Sequence, residues 1–308
     1  MSSAAAGSTA SMGTYVVPSF DGPKVEPEAV ATFTRPGIPR VSIVLATLNE
    51  VENVPTLLRQ IRELDLPPIE IIVVDDGSVD GTRQYLVREA AIDRRIRLIF
   101  HEGRQTLVPA HCQGIDAAQG EFVIIMDADL QHPPQALPLL VRSLLDGAAL
   151  AIASRYAKGG SPGERSAWRG MISRGAESTA KFLVPEARRV SDPTSGFYGF
   201  RRNVFVPLDP VMEGYELLPF LLVMCNGFPT REIPYQFAAR QNGESKIVQK
   251  KFDFVRTFLS EMWAIRKWRR TVLARRARGK RPSSVRETLA MAVEPTSPAD
   301  HLAPQEGR

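Results

Sequence analysis

"FVIIMDADLQHPP", residues 122–134, runs five apolar residues straight into two aspartates one position apart, then a Gln, a His and two prolines. The apolar run has the length and β-branched content of a strand buried on both faces. Four similar runs occur: "VSIVLA" (41–46), "IEIIVVD" (69–75), "IRLIF" (96–100) and "AALAIAS" (148–154). Segments of helical composition, 50–64 and 79–92 among them, follow the first four strands in chain order. Fully apolar strands alternating with helices predict an α/β fold, a mostly parallel sheet with helices on both faces. No internal repeat interrupts this order.

Such sheets bind ligands beyond the carboxyl ends of their strands. That rule puts Asn49 and Glu50, Asp75 and Asp76, and Asp127 and Asp129 on one rim. The loop "VVDDGSVDGT" (73–82) has a plainer reading too, in which Ser78 or Asp80 caps the next helix. No G-x-G-x-x-G follows the first strand, so a dinucleotide site is disfavoured. The pair Asp127 and Asp129 is harder to explain as a turn. Two carboxylates at a buried strand end cost several kcal/mol in desolvation and mutual repulsion. A divalent cation removes that cost, and hard oxygen donors without a thiolate or a His pair select Mg²⁺ or Mn²⁺. Harder oxygens precede His132, which favours a turn or supporting role for it over ligation.

Six stretches, in order, carry a resemblance: "ATLNE" (46–50), "DDGSVDGT" (75–82), "MDADLQHPP" (126–134), "SRY…GG" (154–160), "DPTSGF" (192–197) and "RQNGESK" (240–246). Together they are similar to the polyprenyl-phosphate sugar transferases of glycosyltransferase family two, the dolichol-phosphate mannosyltransferase group, over residues 40–265. The resemblance implies a GT-A type fold, a nucleotide-sugar donor and a polyprenyl phosphate acceptor. It implies Asp127, Asp129 and Gln131 as ligands of the metal and diphosphate. Glu50, Asp75 and Asp76 then contact the nucleoside, with Ala46, Leu48 and Ala128 completing the donor-binding set. Arg155, Arg240 and Lys246 are the cations that hold the donor diphosphate and the acceptor phosphate, and with Asp129 they form the implied catalytic set. Family members usually carry Pro and Tyr where Ala46 and Leu48 stand, and "GRQTLVPA" (103–110) replaces a glycine-richer loop. Donor identity therefore stays open between GDP-mannose, placed first, and UDP-glucose or another UDP-sugar.

The implied reaction is a single displacement at the anomeric carbon with inversion. A phosphate monoester has its second pKa near ~6 and needs no base to attack at neutral pH. A sugar-hydroxyl acceptor would need one, with Asp192 as the candidate. A processive polysaccharide synthase is disfavoured, because no Q-x-x-R-W stretch or membrane channel is legible. A non-catalytic scaffold conflicts with the intact Asp127, Asp129, Arg240 and Lys246.

Charge is unevenly placed. Between Lys250 and Arg281 stand twelve Lys or Arg and two acids, although the whole chain is only +5, so the remainder is net acidic. Apolar residues recur there as Val255, Phe258, Leu259, Met262, Ile265, Trp268 and Val272. A basic amphipathic helix over 250–281 reads as a membrane-surface element. The alternative is a stripe packed on the catalytic domain. The acidic remainder, without a recognisable binding module, argues against a nucleic-acid partner. The most apolar segment outside the strands, "LLPFLLVMC" (217–225), is far shorter than the ~20 residues a membrane span needs. Cys112 and Cys225 are too few and too far apart for a disulfide framework, and no signal sequence is legible. The expectation is a peripheral enzyme at the cytoplasmic face of a membrane, anchored by this helix or by a membrane-anchoring protein partner. The expected organisation is a disordered arm (1–38), a catalytic domain (39–249), the helix (250–281) and a disordered tail (282–308).

Overall fold

The computed structural model describes residues 40–102, 106–163, 167–204, 214–239 and 251–277, and side chains within them except for 167–169, 251–254 and 271–277. The expected arm, the expected tail, Arg240 and Lys246 lie outside the described residues.

Seven strands form one sheet in the order β3-β2-β1-β4-β6-β5-β7. They are β1 (Val41–Thr47), β2 (Ile69–Asp75), β3 (Ile96–Phe100), β4 (Phe122–Asp127), β5 (Leu150–Ser154), β6 (Tyr198–Arg201) and β7 (Thr230–Pro234). The first four pair in parallel, and β5 pairs in parallel with β7. Strand β6 runs antiparallel to both of its neighbours, β4 and β5. Alternation along the central strands explains why they read as unbroken apolar runs. Val44, Ile72, Val74, Val123 and Ile125 face one core, while Ile43, Leu45, Ile71, Val73, Ile124 and Met126 face the other. Both faces are covered, so apolar residues dominate them, with the paired Ser42 and Glu70 (2.6 Å) a buried polar exception.

The helices are α1 (Val54–Arg62), α2 (Thr82–Ile92), α3 (Leu107–Ala117), α4 (Leu137–Leu145), α5 (Ala167–Leu183), α6 (Leu218–Met224) and α7 (Lys251–Ala277). In α1, Val54, Leu57, Leu58 and Ile61 are buried, the i, i+3, i+4, i+7 stripe of a helix lying on a sheet. Helix α3 sits closely over β1 and β2 because Gly114 has no side chain: a methyl there would overlap Val44 and press on Val74. Gly199 serves the same end in β6, where a Cβ would lie 3.0 Å from both Ile124 and Leu144.

The apolar stripe of α7 is divided. Phe258, Met262 and Ile265 are buried in the core, and Trp268 packs on Phe220 with ring centroids 4.4 Å apart. Arg269 pairs with Glu186 at 2.7 Å, and Arg266 donates to the Leu183 carbonyl at 3.4 Å. Val255, Leu259 and Trp263, the last 59% exposed, face outward beside the exposed Arg256, Lys267 and Arg270. Much of the stripe is therefore spent on the body of the protein. Glu261 also turns inward, because its carboxylate accepts the backbone N–H groups of Tyr215 and Glu216 ahead of α6. Burial pushes that carboxyl up to about 8, against the lowering effect of those two N–H groups. No helix among the described residues is long and apolar enough to cross a membrane.

Candidate active site

The parallel strands deliver the acidic residues to one rim. Thr47 pairs in register with Asp75, and Ala46 with Asp127, so the ends of β1, β2 and β4 are level. Just beyond β1 and β4 stand Asn49 (φ 52°) and Leu130 (φ 63°), the two non-glycine residues with left-handed backbone among those described. Such conformations cost energy and collect at functional sites.

On the β1–β2 side, two loops are laced together. The Asn49 N–H donates to Ser78 Oγ at 2.8 Å, and Asn49 Oδ1 accepts from Val79 at 2.9 Å. Asp80 accepts the N–H groups of Val51 (3.1 Å) and Thr82 (3.0 Å), tying the β1 loop to the first residue of α2, whose N-cap is Gly81. Asp75 is fully buried and accepts from Thr47 Oγ1 (3.1 Å), the Ser78 N–H (3.0 Å), Ser78 Oγ and Arg83 Nε (2.5 Å). Burial alone would raise its pKa; the bonds from Ser78, Arg83 and Thr47 outweigh it and hold the carboxyl below the usual carboxylate range. Asp75 thus braces the loop. Asp76, beside it on the rim, faces His101 Nδ1 at 3.4 Å, and His101 Nε2 meets Gln113. Glu50 is buried, accepting from Asn53 Nδ2 at 2.7 Å. Ala46 and Leu48 are half-buried at the end of β1.

On the β4 side, the Asp127 side chain is 38% exposed and aims into the open rim. Asp129 is nearly buried, and its Oδ1 accepts the Gln131 N–H at 3.1 Å, with buried Ala128 between the two acids. Gln131 is tied to Ala238 through both backbone (3.0 Å) and side chain (3.4 Å). His132 Nδ1 accepts the Asp127 N–H at 3.0 Å. Its ring is boxed by Phe197, Tyr235 and Phe237 at centroid distances of 5.2, 6.0 and 5.7 Å. That nitrogen is committed, which places His132 beneath Asp127 as a support. Gly196 closes in from above: a Cβ there would sit 3.1 Å from His132 Cε1 and 3.4 Å from Asp127 Oδ2.

Do these groups fit a metal? Among the described residues, no three His, Cys, Asp or Glu side chains are grouped to hold one unaided. Two carboxylates and an amide oxygen on an open rim instead match a hard cation that takes its remaining ligands from water and phosphate oxygens. The donor set fits Mg²⁺ or Mn²⁺.

Arg155 and Asp192 meet across 37 residues of chain. Arg155 Nε and Nη2 each donate to the Asp192 carboxylate at 2.6 Å, and the Arg155 N–H donates to it at 3.0 Å. Nη2 also reaches the Thr194 carbonyl at 3.1 Å, and the guanidinium lies 5.5 Å from the Tyr156 ring centroid and 5.8 Å from that of Phe237. Burial works against the charged guanidinium, but Asp192 more than compensates and keeps Arg155 protonated. Asp192 is completely buried with three donors on it. It is not placed as the free base that a hydroxyl acceptor would need.

The family model for "Glycosyl transferase family 2" matches residues 42–206, more than half of the chain. The chain belongs to glycosyl transferase family 2. This family 2 chain is 34% identical to a dolichol-phosphate mannosyltransferase of Pyrococcus furiosus over 74% of its own length and 64% of that protein's, so it spans less than two thirds of that relative. It is 31% identical to the dolichol-phosphate mannosyltransferase of Saccharomyces cerevisiae, covering 67% of this chain and 80% of that one. Identity to a polyprenol monophosphomannose synthase of Mycolicibacterium smegmatis is 32%, over 68% and 81%. Among solved structures, glucosyl-3-phosphoglycerate synthase from Mycobacterium tuberculosis with Mn²⁺, UDP-glucose and phosphoglyceric acid superposes with a TM-score of 0.55 at 22% identity, over 73% of this chain and 80% of that one. The sheet order and this likeness establish the GT-A type fold of the family 2 chain.

Sequence reading singled out Asp75, Asp76, Asp127, Asp129 and Gln131, and the rim gathers them all. It missed Arg83, His101, Gly196, Glu216, Glu261 and the Arg155–Asp192 partnership. These residues come from separate elements, and only the assembled sheet brings them to the rim or behind it.

Proposed function

We propose that this family 2 glycosyltransferase moves a hexose, mannose first, from a nucleotide-diphosphate sugar to a polyprenyl phosphate with inversion, in a reaction that requires a divalent metal. The observation that carries the reading is the shared activity of its relatives: those at 31–34% identity are named for mannose transfer to dolichol or polyprenol phosphate. In the reaction, a lone pair of the acceptor phosphate forms the new bond to the anomeric carbon. The bond from that carbon to the diphosphate breaks, and its electron pair leaves on the nucleoside diphosphate. Bound Mg²⁺ or Mn²⁺, held by Asp127, Asp129 and Gln131, supplies Lewis-acid stabilisation of that leaving charge.

The chain's own groups have distinct tasks. Asp76 and Glu50 line the nucleoside end of the rim, between Leu48 and the braced Asp75. Arg155, fixed by Asp192, contributes positive charge near the diphosphate while its geometry stays locked. Arg240 and Lys246 hold the two phosphates. No side chain takes a proton, because the acceptor is already ionised at neutral pH. The outer face of α7, with Leu259 and Trp263 among Arg256, Lys267 and Arg270, docks on an anionic membrane surface at the cytoplasmic face, where the lipid acceptor is presented. Each basic residue near such a surface is worth ~1 kcal/mol. A membrane-anchoring protein partner is the alternative means of attachment.

The test is product formation from GDP-mannose and from UDP-glucose with a short polyprenyl phosphate, with and without chelator. Metal-dependent mannosyl lipid is expected. Turnover that survives saturating chelator would overturn the metal scheme, and selective use of UDP-glucose would move the assignment to the UDP-sugar alternative.

A further inference from the structure

The two aspartates that end β2 are held in different ways. Asp75 is fully buried and takes its hydrogen bonds from Thr47, Ser78 and Arg83. Asp76 gives its backbone N–H to the Thr47 carbonyl at 2.9 Å, which levels it with the end of β1. Its side chain is 12% exposed and meets the His101 ring.

His101 follows β3 directly and extends the pairing of that strand with β2. Its N–H donates to the Asp75 carbonyl at 3.0 Å. Arg83, which grips the Asp75 carboxylate, also reaches the His101 carbonyl. The backbone of His101 is thus fixed against the residue before Asp76, and its ring is carried alongside Asp76. Nδ1 lies 3.4 Å from Asp76 Oδ1, and Nε2 rests on Gln113 Oε1 of α3. The imidazole bridges a helix behind the sheet and a carboxylate on the rim.

Carboxylate and amide oxygens only accept. A ring protonated on both nitrogens donates to both. A neutral ring donates to Asp76 once Gln113 turns its amide NH₂ toward Nε2, because the bond at one ring nitrogen decides which of them keeps the proton. In both states an N–H at Nδ1 faces Asp76. A recognition group fixed before its ligand arrives spares the cost of ordering it on binding. We propose that His101 is a positioning residue: through Nδ1 it holds the Asp76 carboxylate in the orientation that accepts an N–H or O–H of the donor's nucleoside, and Gln113 sets the ring's proton for that task. This rests on the nucleoside role given to Asp76 above and adds what fixes that carboxylate. The nucleoside lies away from the reacting carbon and is gripped equally before and during transfer, so the effect falls on KM and not on kcat.

The test separates the two ring nitrogens. His101→Asn puts an amide NH₂ close to the place of Nδ1 and gives up the contact to Gln113; His101→Gln puts it close to the place of Nε2 and gives up Nδ1. KM for the nucleotide sugar, kcat, and the Kd of GDP and UDP in Mn²⁺ are measured for both, for Asp76→Asn and for the double variant His101→Gln with Asp76→Asn, all below the lowest melting temperature. His101→Gln is expected to raise KM and Kd about tenfold with kcat unchanged, the scale of one hydrogen bond. His101→Asn stays within about threefold of wild type. In the double variant the His101 change adds nothing to the Asp76 change, because it acts only through that carboxylate. A ring that merely ties β3 to α3 gives the reverse: His101→Gln behaves like wild type, while His101→Asn melts lower and binds nucleotide unchanged. That pattern, or additive losses in the double variant, overturns the proposal. Should His101→Gln not fold, His101→Phe takes its place, with the same rise in KM expected. A loss in Asp76→Asn with none in His101→Gln overturns the role of His101 alone. Unchanged KM and Kd in Asp76→Asn overturn the nucleoside role of Asp76 itself. Titration with 2′- and 3′-deoxy diphosphates locates the accepted hydrogen: a His101→Gln loss that persists with both lies on the base, and one that vanishes lies on the missing hydroxyl.

Discussion

Asp192→Asn separates bracing from chemistry at this site. The Asp192 carboxylate takes two guanidinium N–H groups at 2.6 Å and a backbone N–H at 3.0 Å, with no exposure to solvent. An amide at this position has one accepting oxygen and one donating nitrogen. At least one contact therefore becomes a donor facing a donor, while the Arg155 charge stays buried without a counter-ion. Breaking a buried pair from one side costs ~3–5 kcal/mol. At roughly 2–4 °C per kcal/mol for a domain of this size, the melting temperature falls by about 6–20 °C. Calorimetry or a urea melt measures the loss, and mannosyl transfer is then assayed well below the variant's melting point. There the folded fraction keeps substantial turnover, because Asp192 takes no proton. Asp129→Asn is expected to do the reverse, melting within a few degrees of wild type and losing transfer. An Asp192→Asn protein that melts like wild type but is inactive would refute this reasoning and make Asp192 a chemical participant.

Two further outcomes follow from α7. The folded pKa of Glu261, about 8, lies above the ordinary 4.5, so the unfolded chain releases this proton first and stability falls as pH rises from about 4.5 through 8. Glu261→Gln keeps an acceptor for Tyr215 and Glu216, removes the charge, and raises stability at pH 8 by about 3–5 kcal/mol with little effect near pH 4, as urea melts across pH would record. Trp263→Glu, on the exposed face, leaves the melting temperature within a few degrees but reduces flotation with anionic vesicles several-fold; unchanged flotation at matched salt would remove this face from the docking surface.

Strands β1, β2 and β4 were legible because burial on both faces leaves a mostly apolar run, whereas β3, an edge strand with only Ile96 buried, was legible from its β-branched and aromatic composition. Strand β5 begins at Leu150, two residues later than its composition suggests. The helix expected over 50–64 spans 54–62, since residues 50–53 form the turn in which the Glu50 carbonyl receives Asn53 and Val54. Strands β6 and β7 were not read. "YGFR" has four residues and a glycine, and its place depends on the close fit of Gly199 to Ile124 and Leu144, which no local pattern encodes. "TREIP" is an edge strand with one buried residue. The acidic rim was legible because charge at the end of an apolar strand is locally anomalous. The Arg155–Asp192 lock was not, because each residue alone resembles a loop charge.

The reversed strand β6 has a consequence for how the molecule is made. Lying between β4 and β5, it is, among the described residues, the strand that hydrogen-bonds β5 to the earlier half of the sheet. A chain leaving the ribosome can close β1 to β4 as soon as they emerge, but β5 must wait, edges bare, for some forty more residues. Asp192 and Gly196 arrive on that same late segment. The step that joins β5 to the parallel strands is therefore the same step that brings Asp192 and Gly196 to the rim, and β7 adds the outer edge only afterwards.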